Sequence, residues 1–303
     1  MLQSEDLLFF HRNGYLIMRG LIHGAELQAL QADSSRLVAE GRAHLGVDHL
    51  YRPTFGGDAP VDQGDVYWRS ENMLERDPSY RAVVANPDLL THVAQCAGHA
   101  VYPWNASLVV KIPDIGTAVP WHQDPPYMGP GLNLTHPNPN FTCDIYLDHS
   151  DEGNGCVYAL PGRHLSGHQP MAGDQEQFFS DPVATPLRME PGDVLLHWVS
   201  TPHGSRKNSS PRLRRTLYIH FLSEPAFQES YNHPSMPWAQ AMGGWSPKRR
   251  QVLQSCLTAR RNLGWGDGIA DGQLSWSEHG IEPSQWQENV KIAKRGSQIA
   301  AGG

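Results

Sequence analysis

His122 and Asp124 stand two residues apart in Trp121-His-Gln-Asp124, and His203 follows 79 residues later in the segment ending Thr201-Pro-His-Gly-Ser205. Two neutral imidazoles and one carboxylate can hold Fe(II) on one face of an octahedron and leave three positions open. A structural zinc site would instead be closed by four protein ligands. In an extended segment the side chains of residues i and i+2 share a face, so His122 and Asp124 converge while Gln123 points away. The third ligand must then arrive on a different strand, as a barrel or sandwich would bring it. With 16 His and 31 acidic residues in 303, an isolated His-x-Asp carries little weight, and its neighbourhood has to supply the meaning.

Eleven residues after His203 comes Arg214, which opens a β-branched and aromatic run, Arg215-Thr-Leu-Tyr-Ile-His-Phe221, that reads as a buried strand. An arginine leading into such a strand can point inward. Its guanidinium matches a carboxylate bidentately, and a small dicarboxylate ligand would satisfy it. Strand alternation places Arg212 and Arg214 on one face and Arg215 on the other, so periodicity does not choose between the first two.

With these residues in place, the chain resembles the phytanoyl-CoA dioxygenase family of Fe(II)- and 2-oxoglutarate-dependent oxygenases. The resemblance rests on Phe10-His-Arg-Asn-Gly-Tyr15, Trp121 to Asp124, Asp151-Glu-Gly-Asn-Gly-Cys156 with Leu160-Pro-Gly-Arg-His164, and Pro191 through Arg214. It covers roughly residues 5 to 222, and departs from many relatives at Arg163. It implies that His122, Asp124 and His203 bind iron. It favours Arg214 as the anchor for the far carboxylate of 2-oxoglutarate, with Ser205 donating a hydroxyl beside it, and implies molecular oxygen as second co-substrate. Because Asp124 is present, the chain does not resemble the halogenase branch. The implied reaction couples decarboxylation of 2-oxoglutarate to oxidation of an unactivated C–H bond of a small organic molecule. The expected class is a secondary metabolite, by hydroxylation or oxidative cyclisation, with a glycoside as one variant. Two readings of other classes share the ligand set or the fold: a cupin-like metal-dependent isomerase or hydrolase without 2-oxoglutarate, and a non-catalytic jelly-roll binding protein.

The elements that must position these residues are legible as patterns. Residues 4–12 and 24–41 have helical periodicity, and Asn86-Pro-Asp88 opens a helix that Gly98 closes. From Val101, short β runs alternate with Gly/Pro turns: 108–112, 141–147, 156–160, 193–198 and 216–221. The expected fold is mainly β with flanking helices, a double-stranded β-helix, or jelly roll, with the ligands near one mouth. The expected organisation is one oxygenase domain over 1–294: a helical region 1–100, a jelly-roll core 101–222 and a helical and loop segment 223–294. Residues 295–303 form an expected disordered tail.

Around the site, the loop 125–141 is the first candidate for a substrate lid, with Tyr127 and Met128 as contacts. Relatives also point to Arg69 and Asn72. His164, after the Pro-Gly turn, is a candidate for the mouth, whereas His197 and His220 read as structural histidines. The net charge of −7 and the absence of a basic stripe argue against nucleic acid as a partner. No stretch approaches the ~18 apolar residues of a membrane span. Four cysteines lack Cys-x-x-Cys spacing and no secretory signal is visible, so a cytoplasmic setting with reduced thiols is expected.

Overall fold

The computed structural model describes residues 2–40, 49–52, 66–97, 101–124, 141–167, 169–223 and 246–266. The lid loop 125–140 with Tyr127 and Met128, Gly98, the segment 267–294 and the tail 295–303 lie outside them.

Eight strands form the core: β4 (Val101–Lys111), β5 (Val119–His122), β6 (Phe141–Tyr146), β7 (Val157–Ala159), β8 (Thr185–Leu187), β9 (Val194–Trp198), β10 (His203–Ser205) and β11 (Arg214–Ser223). They divide into two antiparallel sheets, one running β9-β6-β11-β4 and the other β5-β10-β7-β8. This four-on-four arrangement is the jelly roll. The larger sheet is extended at one edge by β1 (Tyr15–Met18) and at the other by β3 (Val66–Ser70) and β2 (His49–Arg52). The region 1–100 is therefore not only helical. These strands are four or five residues long, too short to show a period against the helices around them.

Alternation makes the larger sheet two-faced. Cys143 and Ile145 of β6, Leu196 and Trp198 of β9, and Leu217 and Ile219 of β11 pack into one apolar cluster with Phe10, Leu30, Val83 and Leu89 of the helices. Those helices are α1 (Ser4–Asn13), α2 (Gly24–Glu40), α3 (Pro78–Val84) and α4 (Pro87–Ala97). Full burial of such side chains contributes about 1.5–3 kcal/mol each. The intervening residues, Thr142, Asp144, His197, Arg214, Tyr218 and His220 among them, face the second sheet. A polar lumen is thus lined from strands whose other face is apolar.

Local chemistry explains the helix ends that hold this frame. Asn86 Oδ1 accepts from Leu89 N at 3.0 Å, with Pro87 at the first helical position, so α4 starts where the sequence predicts. Gly14 closes α1 in the left-handed region at φ 80°, its N–H donating to Phe10 O. The same residue is a structural anchor, because its carbonyl accepts from Thr201 Oγ1 at 2.7 Å and from Trp198 N at 2.9 Å. A Cβ there would fall 2.5 Å from Thr201 Oγ1 and 2.6 Å from His164 Nδ1.

His164 is fully buried beneath α1, its Nε2 3.1 Å from His11 O and its ring against Trp198. It packs on the helix side of the larger sheet rather than facing the mouth, which corrects the expectation that it contacts substrate. Burial holds His164 down at about 4, and burial together with His164 holds His11 at about 3.

Two outcomes follow. Gly14→Ala forces a left-handed alanine into occupied space and should lower stability by at least about 1–3 kcal/mol, read as a shift in the denaturant midpoint. Unfolded histidines take up a proton near pH 6.5, whereas His164 stays neutral until about 4. The unfolded chain therefore binds more protons across that window, and stability falls as pH falls through it, by on the order of 1.4 kcal/mol per pH unit for this histidine. The metal-free Tm should be lower at pH 5 than at pH 7.5, with a shallower slope in His164→Gln; equal slopes would contradict the burial.

Candidate active site

β5 and β10 are antiparallel neighbours with His203 directly opposite His122, which sets their ring centroids 4.3 Å apart. Asp124 lies just beyond the end of β5, its N–H donating to Val199 O at 2.9 Å. His122 Nε2 is 3.8 Å from Asp124 Oδ1, and one ligand atom from each of the three residues lies within 4.8 Å of the others. A metal with bonds of ~2.1 Å can gather donors so spaced on one face.

The donor set is in ligand form. His122 Nδ1 sits 2.8 Å from Pro120 O and His203 Nδ1 2.9 Å from Thr201 O. A carbonyl only accepts, so each Nδ1 donates and each Nε2 keeps its lone pair for a metal. Burial, then His122 and His197, hold His203 down at about 3. Burial opposes the charge on Asp124, but His203, His220, His197 and His122 outweigh it and hold the carboxyl at about 2. At neutral pH the site offers the neutral imidazole of His203 and the carboxylate of Asp124, with His122 Nε2 turned toward the same point. These residues fit iron.

Their supports come from both ends of the chain. Thr201, whose carbonyl orients His203, is tied by its hydroxyl to Gly14. Gln123 points away from the ligands and ties two loop segments to its own, donating to Gly167 O and Ser200 O and accepting from Gln169 N. Trp121 packs outward against Phe178 and Phe179, over Gly204, where a Cβ would fall 3.0 Å from its ring.

At the other end of the lumen Arg214 is almost fully buried. Its guanidinium donates to Gly155 O at 2.5 Å, to Thr216 Oγ1 at 3.3 Å and to Tyr218 OH at 3.3 Å, and lies over the Tyr146 ring. No carboxylate pairs with it among the described residues. The competing arginines both have one: Arg215 is bidentate to Asp148 at 2.8 Å, beneath α2, and exposed Arg212 donates to both oxygens of Asp151 at 2.8 Å. Arg212 also precedes β11, so alternation does not apply to it. Lys111, paired with Arg214 in the sheet, donates to Thr117 O and Arg206 O. Burial, then Arg214, push its ammonium well below its ordinary range. A buried guanidinium lacking a carboxylate suits a dicarboxylate ligand. Ser205 is buried on the same face of β10 as His203, opposite Val157, two residues past Gly155.

Arg69 pairs with Val109 of β4, is half-buried, and holds Glu71 at 2.5 Å. Burial lowers His220 and raises Tyr218, and the charge of Arg69 reaches both, which places it on the lumen side. Asn72 is exposed in the left-handed region, at the start of the turn 73–75. His197 and His220, expected to be structural, both lie beside the ligands, the His197 ring 4.6 Å from that of His203. Asp144, Lys111, Thr216 and Tyr218 were not singled out from sequence. The available signal was an ionisable residue inside the apolar run 141–147, and the i+2 partners of Arg214.

The family model for phytanoyl-CoA dioxygenase matches residues 10–216. The chain belongs to the phytanoyl-CoA dioxygenase family. The bovine peroxisomal phytanoyl-CoA dioxygenase is 24% identical over 237 residues, 73% of this chain and 68% of that protein. The methylphosphonate hydroxylase of Gimesia maris is 25% identical over 267 residues, 86% of this chain and 92% of that one. The crystal structure of AviO1 from Streptomyces viridochromogenes Tue57 superposes with a TM-score of 0.60 at 25% identity, covering 74% of this chain and 96% of AviO1. The protein is an Fe(II)- and 2-oxoglutarate-dependent dioxygenase, which sets aside the cupin-like isomerase or hydrolase and the non-catalytic readings.

When bound, iron and 2-oxoglutarate supply the activation of oxygen and the decarboxylation that drives C–H oxidation. The chain supplies orientation: carbonyl-locked imidazoles at one end of the lumen and a fixed guanidinium at the other. Arg214→Ala should weaken 2-oxoglutarate by about 1.5–3 kcal/mol, roughly 10- to 150-fold, in calorimetric titration of the Mn(II)-loaded dioxygenase. Arg212→Ala should leave that affinity unchanged, and an equal loss in both variants would contradict the assignment.

Proposed function

We propose that the dioxygenase oxidises an unactivated C–H bond of a small, polar organic molecule of the secondary-metabolite class, by hydroxylation or oxidative cyclisation. His122, Asp124 and His203 hold iron, Arg214 and Ser205 hold 2-oxoglutarate, and Arg69 meets the substrate.

The observation that carries this reading is the character of the partly open wall beside the ligands. His122, Asp124, Arg69, Tyr218 and His220 are each half-buried, and all present polar groups. A long branched acyl chain would call for an apolar channel there, because burying polar groups against hydrocarbon leaves them without partners. A molecule with its own hydroxyl, amino or oxyanion groups satisfies them. The methylphosphonate hydroxylase, which aligns over nearly its whole length, is by name a relative acting on a small polar molecule. All four cysteines are free and buried, which supports a reducing, cytoplasmic setting. Among the described residues no helix is long and apolar enough to cross a membrane.

Succinate formation in the Fe(II)-loaded enzyme should rise at least about tenfold over the uncoupled rate with a polar small molecule from a metabolite panel, and not with phytanoyl-CoA. Stimulation by acyl-CoA thioesters alone would overturn the substrate class. Arg69→Ala should lower that stimulation while leaving 2-oxoglutarate affinity unchanged.

A further inference from the structure

The lumen face of β6 ends in Tyr146, which the register sets opposite Thr216 of β11, two residues from Arg214. Tyr146 is fully buried, and its ring packs with Val157, Ala159, Leu187 and Leu195 in an apolar cluster between the sheets. The Arg214 guanidinium lies 5.7 Å from the ring centroid. A phenylalanine would serve that packing equally well, so the hydroxyl is what needs explaining.

That hydroxyl is sealed from water and has no hydrogen-bond partner among the described residues. Burial, then Tyr218, push it well above its ordinary range against the pull of Arg214, so it stays protonated and able to donate. The acceptors recorded around the guanidinium are already engaged: Gly155 O, Thr216 Oγ1 and Tyr218 OH all accept from Arg214. A buried donor left unmet is disfavoured, and an anion bound to Arg214 would meet it.

We propose that Tyr146 is a further binding residue for the co-substrate: its hydroxyl donates to the far carboxylate of 2-oxoglutarate, beside the Arg214 guanidinium. A carboxylate has two oxygens and lone pairs enough for both donors. Charge alone would accept any anion, whereas a guanidinium and a phenol converging on one carboxylate also fix where it ends. The inference rests on Arg214 as the anchor for 2-oxoglutarate.

The isosteric Tyr146→Phe separates this role from packing, in the full chain loaded with Mn(II) and titrated calorimetrically with 2-oxoglutarate. Affinity for 2-oxoglutarate should fall about tenfold or more, as loss of a hydrogen bond to a charged group does, while Mn(II) affinity stays unchanged. Because the variant removes an unmet polar group, the Tm of the ligand-free protein should equal or exceed that of wild type. Unchanged 2-oxoglutarate affinity in Tyr146→Phe, alongside a loss in Arg214→Ala, would overturn this proposal alone. A lowered Tm or weakened Mn(II) would show that the hydroxyl serves the fold, and would overturn it as well. Wild-type 2-oxoglutarate affinity in Arg214→Ala would overturn the Arg214 reading and this proposal together.

Discussion

A guanidinium buried at one end of the lumen, with no carboxylate beside it among the described residues, is the constraint around which the rest of this structure is arranged. Arg214 is held by a backbone carbonyl, a threonine hydroxyl and a tyrosine hydroxyl, which satisfy donors but do not cancel charge. The neighbouring carboxylates are committed elsewhere, Asp148 to Arg215 and Asp151 to Arg212, so neither serves Arg214. Breaking a buried charge pair is strongly destabilising, so a protein that retains half of one holds a site for the missing half. The proposed partner for that half is the dianion of 2-oxoglutarate.

The opposite end of the lumen works by geometry rather than by charge. Two backbone carbonyls, of Pro120 and Thr201, choose the tautomers of the two ligand imidazoles, and Thr201 is in turn fixed by the left-handed glycine that ends the first helix. Sequence far from the site thereby orients His203. The sheet then sets the span between the two ends: β11 carries Arg214 at its start and His220 six residues on, with Thr216 and Tyr218 between them on the same face.

Much of this was legible in the sequence, for physical reasons that also explain the omissions. The His-x-Asp pair and the distant histidine could be read because extended chain has a period of two and because the downstream strand is strongly β-branched. Asn86-Pro87 marked a helix start through capping chemistry. Arg214 could not be separated from Arg212 by alternation, since that depends on where β11 begins, and only the ion pairs of the folded chain decide it. His164 looked like a mouth residue from its Pro-Gly turn, but the packing of α1 over Trp198 buries it on the other side of the sheet. His197 and Asp144 each sit in apolar runs, where a polar residue has no visible partner until two strands are brought side by side.

The central claim is that one lumen holds a metal at His122, Asp124 and His203 and a dicarboxylate at Arg214. Anaerobic titration of the metal-free protein with Fe(II) and then 2-oxoglutarate tests it most directly, by the visible charge-transfer band that appears only when the keto acid chelates the iron. The structure requires a saturable band in the wild type, absent in Asp124→Ala and displaced to higher 2-oxoglutarate concentration in Arg214→Ala. Iron binding without a band, or a band of unchanged affinity in Arg214→Ala, would contradict it.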